Sequence, residues 1–215
     1  MSELEWSEEI SREYAAYMET NVRHDHAKVA RRIAADWPGA PRGLTVVDVA
    51  GGPAFLLLEL APLFNAPRLV LTDGSETMIR IGKERAAARN ISIEARLCPA
   101  ERLDLPDAGA DLVICKQFLR LAQDPGAVLA EMARVTRPGG RAYVIDFNSE
   151  GPWLGGTLLD LWIRFTAPPF IKSQFSSSRR AALPASKLPG MLQTAGFART
   201  AIIQNSVSYI VRAEK

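Results

Sequence analysis

Two carboxylates close two successive apolar runs. Asp48 ends Leu44-Thr45-Val46-Val47-Asp48, and Asp73 ends Arg68-Leu69-Val70-Leu71-Thr72-Asp73, 25 residues further on. The first run continues into Val49-Ala50-Gly51-Gly52-Pro53-Ala54, and the second into Gly74-Ser75. An acid one strand–helix unit beyond a glycine turn is placed to accept hydrogen bonds from both hydroxyls of a ribose. The turn is Gly-Gly, with neither the spaced glycines of a dinucleotide turn nor the Gly-Lys-Ser/Thr of a phosphate loop. The pair therefore describes a nucleoside without a pyrophosphate. The plainer assignment makes Asp73 a helix-capping turn residue and the glycines an ordinary strand–helix connection.

A second chemistry is offered by Asn21-Val22-Arg23-His24-Asp25-His26, which holds both histidines of the chain. An imidazole with an ordinary pKa can act as a general base, so His24 and His26 are candidates wherever an acceptor must lose a proton. The plainer assignment is a solvated helix entry, with Asp25 as its cap. Cys98 and Cys115 lie in apolar surroundings without metal-ligand spacing, which predicts reduced thiols, a cytoplasmic setting and no metal site.

The elements that must position these residues follow from periodicity. An amphipathic helix is predicted over 7–19, with Ile10, Tyr14, Tyr17 and Met18 on one face, and a second over about 26–37, ending at Pro38-Gly39. Five strand–helix units come next. Their strands are the two runs above, the alternating Ile91 to Leu97, Asp111 to Cys115, and Arg141 to Phe147. Ser75 and Asp124-Pro125 are helix starts. Residues 148–183 read as a long connection of lid or binding-loop type with a short helix from Leu154 to Phe165. A last helix over about 185–195 ends at Gly196, and two strands around Asn205-Ser206 close an antiparallel hairpin. Alternation of this kind predicts an α/β fold: a doubly wound, Rossmann-like, mostly parallel seven-stranded sheet with a C-terminal antiparallel hairpin.

Read in order, Val47 to Pro53, Leu71 to Met78, Ala100-Glu101-Arg102-Leu103-Asp104-Leu105-Pro106, Asp111-Leu112-Val113 and Arg137-Pro138-Gly139-Gly140 resemble the successive motifs of class I S-adenosylmethionine-dependent methyltransferases. The Asp-Val-Ala-Gly-Gly turn is similar to the ubiquinone/menaquinone C-methyltransferase branch. The resemblance implies roles for particular residues. Backbone at Ala50, Gly51 and Gly52 would approach the methionine part and ribose of S-adenosylmethionine, with Asp48 organising the turn and Asp73 taking the ribose hydroxyls. Gly74, Ser75 and Met78 would line the adenine, and Ala100 and Glu101 flank its edge. Lys116 and Gln117 would face the methionine end, and Arg120 stands near the substrate mouth. Two positions depart from the pattern. Ala54 replaces the last glycine of the turn, which a methyl group suits at negative φ, and Pro99 replaces an acid that would read the adenine amino group.

The resemblance implies methyl transfer to a small, largely apolar or aromatic acceptor. Tyr14 and Tyr17, as core aromatics or as a lid, would join Trp153, Trp162 and Phe165 in making its pocket, with Phe175 and Arg179-Arg180 nearby. The competing class is a cofactor-binding protein of the same fold that no longer transfers methyl groups, suggested by Ala54 and Pro99. The 215 residues divide as one domain: a helical lid (1–40), a cofactor-binding core (41–147), a substrate-side insertion (148–183), and the final helix and hairpin (184–215). Lys and Arg number 26 against 24 Asp and Glu, so no concentrated basic character marks the chain for nucleic acid. The acidic first residues lack the apolar segment of a secretion signal, and no apolar run reaches the roughly 20 residues of a membrane span. The expected partner is a small molecule, without stable membrane insertion; oligomeric state is not legible.

Overall fold

The computed structural model describes residues 7–172 and 182–215. Seven strands form one sheet: β1 (Thr45–Asp48), β2 (Arg68–Asp73), β3 (Glu94–Leu97), β4 (Ala110–Lys116), β5 (Thr136–Phe147), β6 (Arg199–Asn205) and β7 (Ser208–Glu214). Their order is β3-β2-β1-β4-β5-β7-β6. The first five are parallel, and β7 enters antiparallel between β5 and β6. The chain winds outward from β1 in both directions, so a crevice opens between the carboxyl ends of β1 and β4.

Alternation along the strands builds two cores. Val47, Val70, Val113, Cys115, Ala142, Val144 and Val211 face one side, against α5 (Pro125–Val135) and α7 (Leu188–Thr194). Their neighbours Val46, Leu71, Leu112, Ile114, Tyr143, Ile145 and Ile210 face the other, against α2 (Arg23–Ala35), α3 (Phe55–Leu60) and α4 (Glu76–Ala88). Both flanks are thus apolar, which is why the central strands read as continuous hydrophobic runs. A third, smaller cluster joins Tyr17 and Met18 of α1 (Glu8–Asn21) to Phe55, Ile81 and the inner side of α6 (Trp153–Thr166).

The predicted caps are used. Ser75 Oγ accepts from Met78 N at 3.3 Å, and Asp124 Oδ1 from Ala127 N at 3.0 Å. After α7, Gly196 adopts φ +111°. Its N–H reaches Gln193 O, and the Phe197 N–H reaches Leu192 O, a Schellman closure.

Several boundaries differ from expectation. α2 begins at Arg23, because Val22 alone separates it from α1, and so His24-Asp25-His26 is helix rather than connection. It also ends at Ala35, short of Trp37. β3 begins at Glu94, where pairing with Val70 starts; Ile91 and Ile93 pack on the core without pairing. The Arg137-Pro138-Gly139-Gly140 turn is an irregular first part of β5, which shifts register against β4 between Ala110 and Leu112 and contains Gly139 at φ +74°. The final helix is shorter than predicted, with a 3₁₀ turn (Ala185–Lys187) ahead of α7. Phe175, Arg179 and Arg180 lie outside the described residues. Among the described residues, no helix is long and apolar enough to cross a membrane.

Candidate functional site: a cleft at the carboxyl ends of the parallel strands

A cleft of about 1310 Å³ opens at the switch between β1 and β4. It gathers Asp48, Ala50, Gly51 and Gly52 from the first strand and turn, and Asp73, Gly74, Ser75 and Met78 from the second unit. Ala100 and Glu101 come from the loop after β3, and Lys116 and Gln117 from the end of β4. All twelve residues implied as cofactor contacts are therefore in one lining, although they span 70 positions of the chain from Asp48 to Gln117.

The first turn is folded tightly onto its own strand. A Cβ at Gly51 would stand 2.6 Å from Asp48 Cγ and 2.7 Å from Leu71 Cδ1, so only glycine lets the backbone lie there. Gly82 on α4 does the same from beneath, its Cβ position falling 2.6 Å from Leu71 Cδ2 and 3.3 Å from Gly52 O. Ala54 departs from expectation. Its φ is +61°, with the methyl fully buried and its N–H bonded to Gly51 O at 3.0 Å. The Gly51–Ala54 turn and the start of α3 hold the residue in the left-handed region despite its Cβ. Ala50 (φ +51°) and Gln117 (φ +59°) share that region, so three strained non-glycine residues stand around one crevice.

Asp73 is held by backbone. Its Oδ2 accepts from Gly52 N at 2.9 Å and its Oδ1 from Ser75 N at 2.8 Å. Those bonds aim the carboxylate and leave lone pairs for further donors. Burial raises its pKa, and the backbone donors at Ser75, Gly52 and Gly74 pull the other way. Asp48 is buried beneath the turn. Loss of solvent, then the nearby Asp73 charge, pushes its pKa up to about 8, against a backbone hydrogen bond from Leu57 and the Lys116 charge.

Opposite the acids is a cation on a short relay. Lys116 Nζ lies 3.2 Å from Asp25 Oδ2 and 3.4 Å from His26 Nε2, and its side chain is 6% exposed. His26 Nδ1 lies 3.0 Å from Val22 O. Proton placement follows: Nδ1–H donates to the carbonyl, and Nε2 accepts from the ammonium. The imidazole stacks on Phe55 at 5.1 Å. Burial, and secondly the charge of Lys116, push the His26 pKa down to about 3, so the ring is neutral. Burial also lowers the Lys116 pKa, while Asp25 raises it. The solvated helix entry considered for this segment therefore holds for His24, which is exposed, and not for His26, which lines the cleft.

The candidate acceptor residues separate. Tyr14 lines the cleft, and burial raises its pKa to about 12. Tyr17 is buried behind it, its OH 3.2 Å from Thr166 Oγ1 and its ring 6.2 Å from that of Trp162. Arg120 points into the protein, paired with Asp146 at 2.7 Å and bonded to Gln117 O at 2.6 Å. Trp153, Trp162 and Phe165 stand on the outer side of α6 and line no part of the cleft, because the inward positions of that helix are Gly156 and Ile163. Sequence reasoning missed Phe55, Phe118 and Leu121, which supply the cleft's apolar wall. The last two lie in the loop after β4, whose place at the switch point was the available signal.

The cleft offers a charged acceptor fixed by backbone, close backbone approach at Gly51-Gly52, open space at Gly74, a soft apolar wall at Met78, and one buried cation. Such a set fits a nucleoside with a polar tail. No cluster of metal-binding side chains occurs among the described residues.

Comparison with known proteins agrees with this geometry. Residues 46–140 match a family model described as a methyltransferase domain. A ubiquinone/menaquinone biosynthesis C-methyltransferase of Cupriavidus necator is 39% identical over 111 residues, 51% of this chain and 46% of that protein. Its counterpart in Burkholderia cenocepacia is 37% identical over 107 residues, 49% and 44% of the two chains. The match thus spans about half the length of these relatives. Among solved structures, a putative S-adenosylmethionine-dependent methyltransferase from Methanococcus maripaludis superposes with a TM-score of 0.79 at 18% identity, covering 100% of this chain and 97% of the other. An Aquifex aeolicus methyltransferase gives 0.66 at 19% identity, over 86% and 88%. These two likenesses concern the fold.

Proposed function

We propose that this chain, whose residues 46–140 match a family model described as a methyltransferase domain, is a class I S-adenosylmethionine-dependent methyltransferase that transfers a methyl group from S-adenosylmethionine to a small, largely apolar or aromatic acceptor. The observation that carries the reading is Asp73. It is a buried carboxylate at the end of β2, aimed by Gly52 and Ser75 N–H groups into a cleft at the topological switch, where a ribose diol finds its acceptor. Gly51 and Gly52 admit the rest of the nucleoside at backbone distance, and Met78 and Ala100 receive its base. The cofactor supplies a methyl group activated by a positive sulfur. Asp48, in the floor of the turn, gains a reason to ionise once positive charge arrives above it.

The protein's part in such a transfer is orientation. His26 serves as a clamp, since a ring with Nε2 engaged by an ammonium and a pKa near 3 is a poor base at neutral pH. The group it clamps, Lys116, is the cation that would hold an oxyanion on the acceptor. The matched relatives are named as ubiquinone/menaquinone biosynthesis C-methyltransferases, and a ring carbon becomes nucleophilic when the hydroxyl beside it is ionised. An electron-rich phenol or hydroquinone is accordingly the acceptor class that fits Lys116 and the apolar wall of Phe55 and Phe118. The compartment in this reading is the cytoplasm, where Cys98 and Cys115 stay as the buried free thiols they are.

The non-methylating alternative draws on Ala54 and Pro99, and the methyltransferase names of the matched relatives weigh against it. Calorimetric titration with S-adenosylmethionine and with its demethylated product, followed by label transfer to a phenolic acceptor series, tests the reading. Binding of both ligands with transfer to at least one phenol is expected. Folded protein that binds neither ligand would end it, and binding without transfer across the series would favour the alternative.

A further inference from the structure

Carboxyls outnumber cations in the lining of the cleft. It holds Asp48, Asp73, Glu101 and Asp124, and among the described residues a single cation, Lys116. The guanidinium groups nearest to this region are matched elsewhere: Arg120 pairs with Asp146 at 2.7 Å, and Arg85 pairs with Glu19. The oxygen of an acceptor therefore has one positive group of the lining to meet.

That cation is shared with a carboxylate outside the cleft. Asp25 Oδ2 stands 3.2 Å from Lys116 Nζ, yet Asp25 is no part of the lining. Its side chain is 53% exposed, while that of Lys116 is 6% exposed. Lys116 thus has the cleft on one side and a solvated carboxylate on another. Asp25 lies in the first turn of α2, where the helix end favours negative charge. An ammonium has three N–H donors. His26 Nε2 and Asp25 take two of them, which leaves the third for a ligand in the cleft.

An ion pair with one partner so exposed adds little to stability, so its effect lies in the charge it leaves at the cleft. The ammonium and the Asp25 carboxylate sum to zero. Around them, Asp146 and Arg120 cancel as a pair, His26 is neutral, and Asp48 keeps its proton at neutral pH because burial lifts its pKa to about 8. An arriving anion then meets Asp73, Glu101 and Asp124 with no net positive charge to offset them. An uncharged hydroxyl meets a donor without that repulsion, and the third N–H of Lys116 serves its oxygen before and after it ionises.

We propose that Asp25 is a specificity-determining residue, which neutralises Lys116 from outside the cleft and so makes the site select uncharged hydroxyarenes over acceptors that arrive as anions. Asp25 acts through Lys116 and is a positioning residue. It has this role only if the cleft is the methyl-acceptor site proposed above, and it adds to that reading the charge of the acceptor.

4-Nitrophenol reports the preference directly, because its anion absorbs visible light and its neutral form does not. Its acid–base midpoint is measured free and bound, with the demethylated product of the cofactor added to fill the nucleoside half of the cleft. Bound to the wild-type chain, the midpoint should stay within about half a pH unit of the free probe. In Asp25→Asn it should fall by about one unit, a tenfold gain for the anion over the neutral form, the screening of a half-exposed charge setting that size. Asp25→Glu should restore the wild-type midpoint, and Lys116→Met should raise it. Circular dichroism should be unchanged in all three variants. Loosened packing alone would weaken both forms of the probe together and leave the midpoint where it was. An unmoved midpoint in Asp25→Asn would overturn the proposal and leave the methyl-transfer reading standing, as would a wild-type cleft that already favours the anion tenfold. Product-bound wild type that takes up neither form would remove the phenolic acceptor class, and this role of Asp25 with it.

Discussion

Asp48 makes the stability of the free protein depend on pH in an unusual direction. Its carboxyl is buried, and burial with the neighbouring Asp73 lifts its pKa from 3.8 to about 8. In the unfolded chain the group ionises near its ordinary value of about 3.9. Between those two values the native state holds a proton that the unfolded state has lost. Stability therefore falls as pH rises, by up to about 1.4 kcal/mol per unit. His26 works with the opposite slope over part of that range. Its pKa is lowered from 6.5 to about 3, so between those values the unfolded state holds the extra proton and stability rises with pH. The two slopes oppose each other from about pH 4 to 6.5, which predicts a plateau, and above pH 6.5 the Asp48 decline stands alone. Burial raises Asp73 as well and lowers Lys116.

Asp48→Asn keeps the shape and the acceptor for the Leu57 backbone donor while removing the titration. Urea unfolding followed by circular dichroism, at half-unit steps from pH 4.5 to 8, should give a wild-type plateau and then a fall totalling about 2 kcal/mol over the last 1.5 units. In the variant that fall should be largely lost. The variant should also show a rise with pH below 6.5, because the His26 slope is no longer cancelled. Parallel wild-type and variant curves across the whole range would refute the argument that Asp48 is protonated in the folded, ligand-free protein.

Ligand binding should read out the same proton. If S-adenosylmethionine brings positive charge to Asp48, calorimetry at pH 7 in buffers of different ionisation enthalpy should show proton release in wild type and much less in Asp48→Asn. Asp73→Asn should weaken cofactor binding by about 1.5–3 kcal/mol, the range for hydrogen bonds to a charged group, and unchanged affinity would remove its ribose role. Ala54→Gly should leave stability within about 1 kcal/mol of wild type, because relief of the left-handed strain offsets the lost methyl burial and the freer unfolded chain. Ala54→Val should cost at least about 3 kcal/mol by thermal unfolding. His24→Ala should leave turnover within about twofold, as the side chain is exposed outside the cleft, and a large loss would restore histidine to the proton chemistry.

The frame of the molecule was readable because its signals are local. Apolar runs ending in Asp48 and Asp73, caps at Ser75 and Asp124, and Gly196 after the last helix each act within a few residues, and each is where it was expected. The rim of the cleft that carries Asp48, Gly51 and Asp73 was readable for a related reason: every strand carboxyl end in a parallel sheet points to one rim, so motifs in order become neighbours in space. The pairing across the cleft was not. His26 and Lys116 are 90 residues apart, and nothing in either neighbourhood announces that one holds the other. Trp153, Trp162 and Phe165 stand on the outer side of α6 and not in the cleft, because aromatic content alone does not tell which side of a helix packs inward. Ala54 was misjudged because a residue's intrinsic preference yields to the turn around it when that turn is built over a packed core.

The insertion of β7 between β5 and β6 has a consequence for how the chain is made. In order of synthesis, β5 is complete at Phe147, but its partner begins only at Ser208. At about 5–20 residues per second, roughly 3–12 s pass while β5 presents an unpaired, largely apolar edge. β6 emerges during that interval and has nothing to pair with, because its place in the sheet lies one strand beyond the gap. The nascent sheet is therefore adhesive until its final strand is delivered, and a ribosome stalled within β6 would hold the domain with its stickiest edge open.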